Sequence, residues 1–206
     1  MSKKISNPIK LGNIIILSAP SGAGKSSICE VVLASDKKDI TYLISHTTRP
    51  PRTGEKNGEN YFFVSEESFK KMIKEGKFAE WAKVHGNYYG TSKELLDKAL
   101  TAGKNVILEI DVQGGINIKK QYPYRTCMIF IMPTDFKTLE KRLIARNKDC
   151  KETIDMRIVN AKKELEYLPK YEYLVINKDL TDAVESVRTI IKSLEYKIQK
   201  DTIYFA

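Results

Sequence analysis

Histidine and cysteine are scarce in this chain, and their scarcity removes whole classes of chemistry. Two histidines, His46 and His85, stand among 206 residues, and the three cysteines, Cys29, Cys127 and Cys150, lie far apart with no Cys-x-x-Cys spacing. Neither a zinc centre nor a disulfide framework is expected, and Cys29 and Cys127, set in apolar runs, read as buried thiols. No stretch approaches the roughly 18 consecutive apolar residues of a membrane span. The N-terminal Met-Ser-Lys-Lys is followed by no apolar segment of the secretory kind. The expectation is a cytoplasmic protein with no membrane partner. Repeats and low-complexity segments are absent as well.

Arginine is the next scarcity: seven against 28 lysines, in a chain of net charge +9. The lysines are spread along the sequence without a basic block or an aromatic-interleaved stripe, so no nucleic-acid partner is expected despite the charge. Five of the seven arginines (Arg49, Arg52, Arg142, Arg146 and Arg157) fall in two short regions. Arginine suits fork-like recognition of phosphate, and the expected partner is a small, highly charged anion. Hydrophobic content of 42% and charged content of 30% match one ordinary α/β unit.

What is present is organised around residues 14–27, Ile-Ile-Ile-Leu-Ser-Ala-Pro-Ser-Gly-Ala-Gly-Lys-Ser-Ser. Four branched aliphatics suit a central parallel strand covered on both faces. Gly22 and Gly24 permit a turn whose N–H groups converge on one anion. Lys25 then reaches the terminal phosphates of a nucleotide, and Ser26 is placed to hold Mg²⁺ at the mouth of the next helix. The usual P-loop pattern begins with glycine, and here that position is Ala19.

Further along, the spacing predicts a helix over 26–34, a short strand over 42–45, and a turn-rich loop over 47–60 containing Arg-Pro-Pro-Arg. A strand over 61–64, a helix capped by Ser65 and stopped near Gly76, and two strands over 78–89 follow. This mostly β stretch, 45–91, reads as a lobe inserted into the sheet. A helix opening at 91–94, a buried strand over 106–111 ending in carboxylates, a strand over 128–132 and helices over 134–145 and 154–168 come next. A strand over 173–177 and a helix over 181–200 complete the chain. Alternating strands and helices imply a parallel sheet with ligands at the carboxyl ends of its strands.

Five separated segments carry a resemblance over nearly the whole chain: Ser-Ala-Pro-Ser-Gly-Ala-Gly-Lys-Ser-Ser at 18, Ser-His-Thr-Thr-Arg-Pro-Pro-Arg at 45, Gly-Glu-Asn-Tyr-Phe-Phe-Val at 58, Gly-Asn-Tyr-Tyr-Gly-Thr at 86 and Glu-Ile-Asp-Val-Gln-Gly at 109. In these the sequence resembles the bacterial-type guanylate kinases, which can carry Ala at the Ala19 position. The resemblance implies a P-loop nucleoside monophosphate kinase fold: a parallel-sheet core (1–44, 92–141, 169–206), a GMP-binding lobe (45–91) and a helical lid (142–168).

It further implies that ATP is the donor, with Mg²⁺ held through Ser26, phosphates and water. ATP would meet Ser18, Ala19, Pro20, Ser21, Gly22, Ala23, Gly24, Lys25, Ser26 and Ser27, with Arg142 and Asn177 nearer the adenine. Arg146 and Arg157 would swing over the phosphates and act with Lys25 in catalysis. The GMP phosphate would be held by Arg49, Arg52, Tyr61 and Tyr89, and the base by Ser45, Glu80, Thr91 and Asp111. The chemistry agrees: guanine presents adjacent N1–H and N2–H₂ donors that one carboxylate accepts together, and Thr91 is placed to donate to O6. Glu109 stands where many relatives have Asp, and Asn147 where a lid glycine is common. His46 and His85 read as bystanders, because a phosphate oxygen is already ionised and needs no base.

Two rival readings come from other classes. A kinase-like domain that binds protein partners tends to lose the working loop, whereas Gly24, Lys25 and Ser26 are kept here. A GTPase is suggested by Asn177-Lys178-Asp179, but Leu180 occupies the position where Asn-Lys-x-Asp needs its acid.

Overall fold

Strand β1 (Ile14–Ser18) is buried along its whole length, and its side chains leave on two opposite faces, as a strand requires. Ile15 and Leu17 pack on one face; Ile14 and Ile16 pack on the other. Each side chain removed from water in this way contributes roughly 1.5–3 kcal/mol. The computed structural model describes residues 11–36, 39–84, 86–145 and 151–197. In chain order, β1 leads into α1 (Lys25–Ser35), β2 (Ile40–Tyr42), β3 (His46–Thr47) and β4 (Phe62–Phe63). Then come α2 (Glu66–Lys74), β5 (Phe78–Val84), β6 (Asn87–Ser92), α3 (Lys93–Thr101) and β7 (Asn105–Glu109). The chain continues through α4 (Val112–Gln121), β8 (Thr126–Met132), α5 (Phe136–Ala145), α6 (Lys151–Leu165), β9 (Tyr173–Ile176) and α7 (Leu180–Ser193).

Five of these strands form one sheet in the order β2-β7-β1-β8-β9, every pair parallel. Helices α1 and α7 cover one face through Ile28, Val32, Val184, Val187 and Ile191. Helices α3 and α4 cover the other through Leu96, Leu100 and Ile118. This doubly covered parallel sheet is the core expected from the sequence, and Tyr42 at the end of β2 and Glu109 at the end of β7 line one cleft. Cys29 and Cys127 are buried thiols, as expected; Cys150 and His85 lie outside the described residues.

A second sheet, β4-β3-β6-β5, is built from the segment between β2 and α3. Its core is aromatic: the Phe69 ring stacks 4.4 Å from Phe78 and 5.4 Å from Tyr88. His46 belongs to this packing, 4.8 Å from the Phe62 ring, and burial pushes its pKa down. The Ser65 hydroxyl accepts from Ser68 N and caps α2 as its sequence suggests.

Several expectations are corrected. The strand expected over 42–45 begins two residues earlier, at Ile40–Tyr42, where it pairs with β7. Thr91 belongs to β6, and Ser92 caps α3. The strand expected to reach Asp111 ends at Glu109; Asp111 instead caps α4, its Oδ1 accepting from Gly114 N at 2.7 Å. Helix α4 falls in a stretch to which the sequence reading assigns no element, and it carries Gly114 and Gly115, residues that weaken a helix interior. Those glycines let α4 approach closely: a Cβ on Gly115 would sit 3.0 Å from Ile16, and one on Gly114 would sit 3.0 Å from Glu80 Oε2. Helix α6 begins at Lys151 and ends at Leu165, three residues before its expected stop. The last helix ends at Ser193 and tightens into a 3₁₀ turn over Leu194–Tyr196.

Candidate active site

Between β1 and α1 the chain makes the turn that the two glycines permit, with Gly22 and Gly24 at φ 89° and 90°. Gly24 stands at the N-cap of α1 and supplies no side chain to its first amides. Those N–H groups and the helix dipole form an anion site. Behind the loop, the Asn177 side-chain amide donates to the Ala23 carbonyl at 2.7 Å. Arg142 donates to the Asn177 carbonyl at 3.1 Å and to the Ala23 carbonyl at 3.4 Å. A Cβ on Gly24 would lie 2.3 Å from Asn177 Nδ2. Arg142 and Asn177, expected nearer the adenine, are thus both bonded to the loop at Ala23. Asn177→Ala strips a buried carbonyl of its best donor and is expected to cost about 1–3 kcal/mol of stability in urea unfolding.

The same geometry answers the GTPase reading. The Asn177 amide is committed to Ala23, and Asp179 caps α7 by accepting from Thr181 N and Asp182 N. Ser18 is fully buried and donates to the Ile110 carbonyl at 2.9 Å, joining the start of the loop to the end of β7. Ala19 packs against the core cluster beside α1, and Pro20 accepts from Ala23 N within the turn. Ser26 and Ser27 are exposed. Ser26 Oγ donates to Glu109 Oε2 at 2.9 Å. Arg157 on α6 donates to Ser21 Oγ at 3.2 Å. Arg146 and Asn147 lie outside the described residues.

One cleft of about 640 Å³ runs from Lys25 and Ser26 to Ser45, Tyr61, Glu80, Tyr89 and Asp111, and Glu109 lines it too. Seven residues expected at the two sites therefore share one space. A register shift between Phe78 and Glu80 sets Glu80 opposite Thr91, and bulges of this kind re-aim a side chain. Thr91 is buried, and its hydroxyl donates to Glu80 Oε1 at 2.7 Å. Thr91 thereby orients the Glu80 carboxylate. Burial pushes the Glu80 carboxyl up to about 7; the Thr91 hydrogen bond pulls it down and the Asp111 carboxylate adds to the rise. The Arg49 guanidinium lies 5.5 Å from the Tyr61 ring centroid, while Arg52 is exposed.

Two side chains at the site drew no attention in the sequence. Glu164, near the end of α6, has a buried Oε2 without a hydrogen-bond partner among the described residues. Burial lifts its carboxyl to about 7, opposed by Lys25 and reinforced by Asp111. It is one acid among several on that helix, and no local pattern separates it from its neighbours. Glu55 accepts both hydrogen bonds of Arg49 NH2. An acid six positions after an arginine in the same turn-rich loop is the signal that marks it.

A parallel sheet covered on both faces, a glycine loop feeding α1, a second sheet inserted after β2 and a shared cleft define a P-loop nucleoside monophosphate kinase. The family model of guanylate kinase matches residues 11–194. The guanylate kinase of Caldanaerobacter subterraneus subsp. tengcongensis is 45% identical over 192 residues, covering 93% of this chain and 92% of that relative. That of Helicobacter pylori is 46% identical over 187 residues, 91% of this chain and 90% of the relative. A crystal structure of guanylate kinase from Anaplasma phagocytophilum superposes with a TM-score of 0.77 at 28% identity, covering 95% and 94% of the two chains. The chain belongs to the guanylate kinase family.

Proposed function

We propose that this chain transfers the terminal phosphoryl group of ATP to the phosphate of GMP, giving ADP and GDP, with donor and acceptor held at opposite ends of one cleft. The cleft lining carries this reading, since it puts Lys25 and Ser26 together with Ser45, Tyr61, Glu80, Tyr89 and Asp111. In this scheme 45–91 is the acceptor lobe, 142–168 the lid, and 1–44, 92–141 and 169–206 the core.

Roles follow from chemistry. The amides at the start of α1 and the Lys25 ammonium bind the donor phosphates, and Lys25 stabilises charge on the migrating group. Arg157, already at Ser21 of the loop, adds positive charge from the lid side, with Arg146 as its partner. Arg49, Arg52, Tyr61 and Tyr89 hold the acceptor phosphate. Glu80, aimed by Thr91, accepts from guanine N1–H and N2–H₂, with Ser45 and Asp111 beside the base. Adenine presents an acceptor at N1 and leaves the carboxylate unpaired. The acceptor oxygen is ionised at neutral pH, so no base is needed, and His46 is locked in the aromatic packing of the lobe.

The donor set fits Mg²⁺. Ser26 Oγ and the Glu109 carboxylate are hard oxygen groups 2.9 Å apart, and hard oxygens are what this ion takes. Ser26 would hold it directly with Glu109 beside it, and the ion would neutralise charge on the donor phosphates.

The raised Glu80 pKa gives a pH dependence. Protonation leaves the carboxyl unable to accept from both guanine donors, so GMP affinity should fall as pH drops below about 7, approaching tenfold per pH unit. GMP's own phosphate also titrates near pH 6. Calorimetric titration of the unaltered chain and of Glu80→Gln from pH 8 to pH 5.5 separates the two: only the unaltered chain should show the step near 7. The activity itself is tested by phosphorus NMR, where ATP and GMP should give the β-phosphate of GDP and that of ADP in equal amounts. ADP appearing with inorganic phosphate instead would contradict the transfer.

A further inference from the structure

We propose that Glu55 is a positioning residue for the acceptor phosphate: it holds the Arg49 guanidinium in place before the phosphate arrives. The inference rests on reading the inserted lobe as the GMP site, and it adds to that reading a residue that touches no part of the base.

Arg49 is restrained from several sides. NH2 donates to Glu55 Oε1 at 2.8 Å and to Glu55 Oε2 at 2.9 Å. NH1 donates to the Pro50 carbonyl at 2.7 Å. The backbone N–H of Arg49 donates to Thr47 Oγ1 at 3.1 Å, and that hydroxyl donates to the Tyr88 carbonyl at 2.9 Å. The guanidinium also lies over the Tyr61 and Phe63 rings at 5.5 and 5.7 Å. Glu55 is held in turn: its Oε2 accepts from Arg52 N at 2.7 Å, and its own N–H donates to the Arg52 carbonyl at 3.0 Å. One carboxylate therefore ties Arg49 and the Arg52 backbone into a single turn, with the side chains of Arg49 and Glu55 only 13% and 19% exposed.

Guanidinium carries five N–H donors. Two bonds to Glu55 and one to Pro50 leave Nε–H and one NH1 hydrogen uncommitted to that turn. The guanidinium also meets the Tyr89 hydroxyl, and Tyr89, Tyr61 and Glu55 line the cleft, so the donors outside the turn stand on the side where a phosphate would bind beside the two tyrosines. Arginine otherwise loses much rotamer freedom when it is ordered by a ligand, and a side chain ordered in advance spares that loss at binding. The opposite role is also defined by the geometry: a carboxylate on Arg49 can act as a competitor that phosphate must displace. The two roles have opposite signs, because removing a positioning group weakens GMP and removing a competitor tightens it. The closed turn through Arg52 favours positioning, since Glu55 is anchored there independently of Arg49.

The test is calorimetric titration of GMP, without ATP, into the unaltered chain, Glu55→Gln, Arg49→Lys and the double variant, with guanosine as a ligand lacking the phosphate. Glu55→Gln should weaken GMP about tenfold and leave guanosine unchanged. In the Arg49→Lys background, adding Glu55→Gln should change GMP affinity by less than about twofold, because the two residues act as one unit. In turnover, the loss should fall on KM for GMP, with kcat kept to within about threefold. Unchanged or tighter GMP binding in Glu55→Gln, equal weakening of guanosine, or additive effects in the double variant would each overturn the proposal. Failure of the unaltered chain to bind GMP would overturn the acceptor reading itself, and the positioning role with it.

Discussion

Replacing Lys25 with alanine should lower kcat for GMP-dependent ADP formation by about 10³-fold or more, the size expected when a preorganised charge on a transferring group is lost. Lys25 is the first residue of α1 and lines the cleft at its donor end. The acceptor set sits on other elements: Glu80 on β5, Tyr89 on β6 and Asp111 at the cap of α4. GMP affinity in the absence of ATP should therefore move by no more than about threefold. Lys25→Met keeps the aliphatic stem and should behave in the same way, which separates loss of charge from damage to the helix. A large loss of GMP affinity in either variant would contradict the assignment of donor and acceptor to separate ends of the cleft.

Glu80→Gln should lower kcat/KM for GMP by about 10²-fold, because a glutamine carbonyl accepts one guanine donor while its amide opposes the other. The same change should not harm the fold. The glutamine oxygen can still accept from Thr91, and the buried charge disappears. The sign is worked out from the raised pKa. A carboxyl moved from 4.5 to about 7 by burial contributes stability that is complete below pH 4.5 and is lost as pH rises through 7. Relative to glutamine, the ionised acid then costs up to about 3 kcal/mol at pH 8. Thermal midpoints of the unaltered chain and the variant should thus diverge between pH 5 and pH 8 in favour of the variant, while activity falls. A variant less stable at pH 8 and equally active on GMP would contradict both halves of the argument.

The parallel core was legible because its strands are buried on both faces and read as unbroken apolar runs, as in Ile14–Ser18 and Thr126–Met132. The loop was legible because Gly-Ala-Gly-Lys-Ser has a chemistry that few other turns need. Helix α4 was hidden for a reason that lies in tertiary contact. Gly114 and Gly115 weaken a helix locally, yet Glu80 and Ile16 crowd the space that any side chain there would fill.

The site was legible as residue types and less so as roles. Glu80 was marked by its guanine chemistry, but the bulge that turns it toward Thr91 belongs to strand pairing and leaves no trace in one strand alone. Arg142 and Asn177 are distant from the loop in sequence, and only the packing of α5 and the end of β9 against it shows that both reach the Ala23 carbonyl. Glu55 and Glu164 are ordinary acids until the fold brings Arg49 and Lys25 to them.

The central claim is that one cleft pairs a phosphate-donor loop with an acceptor lobe selective for guanine. Its most direct measurement is a coupled assay of ADP release with GMP, dGMP, AMP and UMP as acceptors. GMP and dGMP should support turnover, and AMP and UMP should be slower by about 10⁴-fold in kcat/KM, as for a site built on donors that its competitors lack. ADP release that does not depend on GMP, or AMP turned over as fast as GMP, would contradict it.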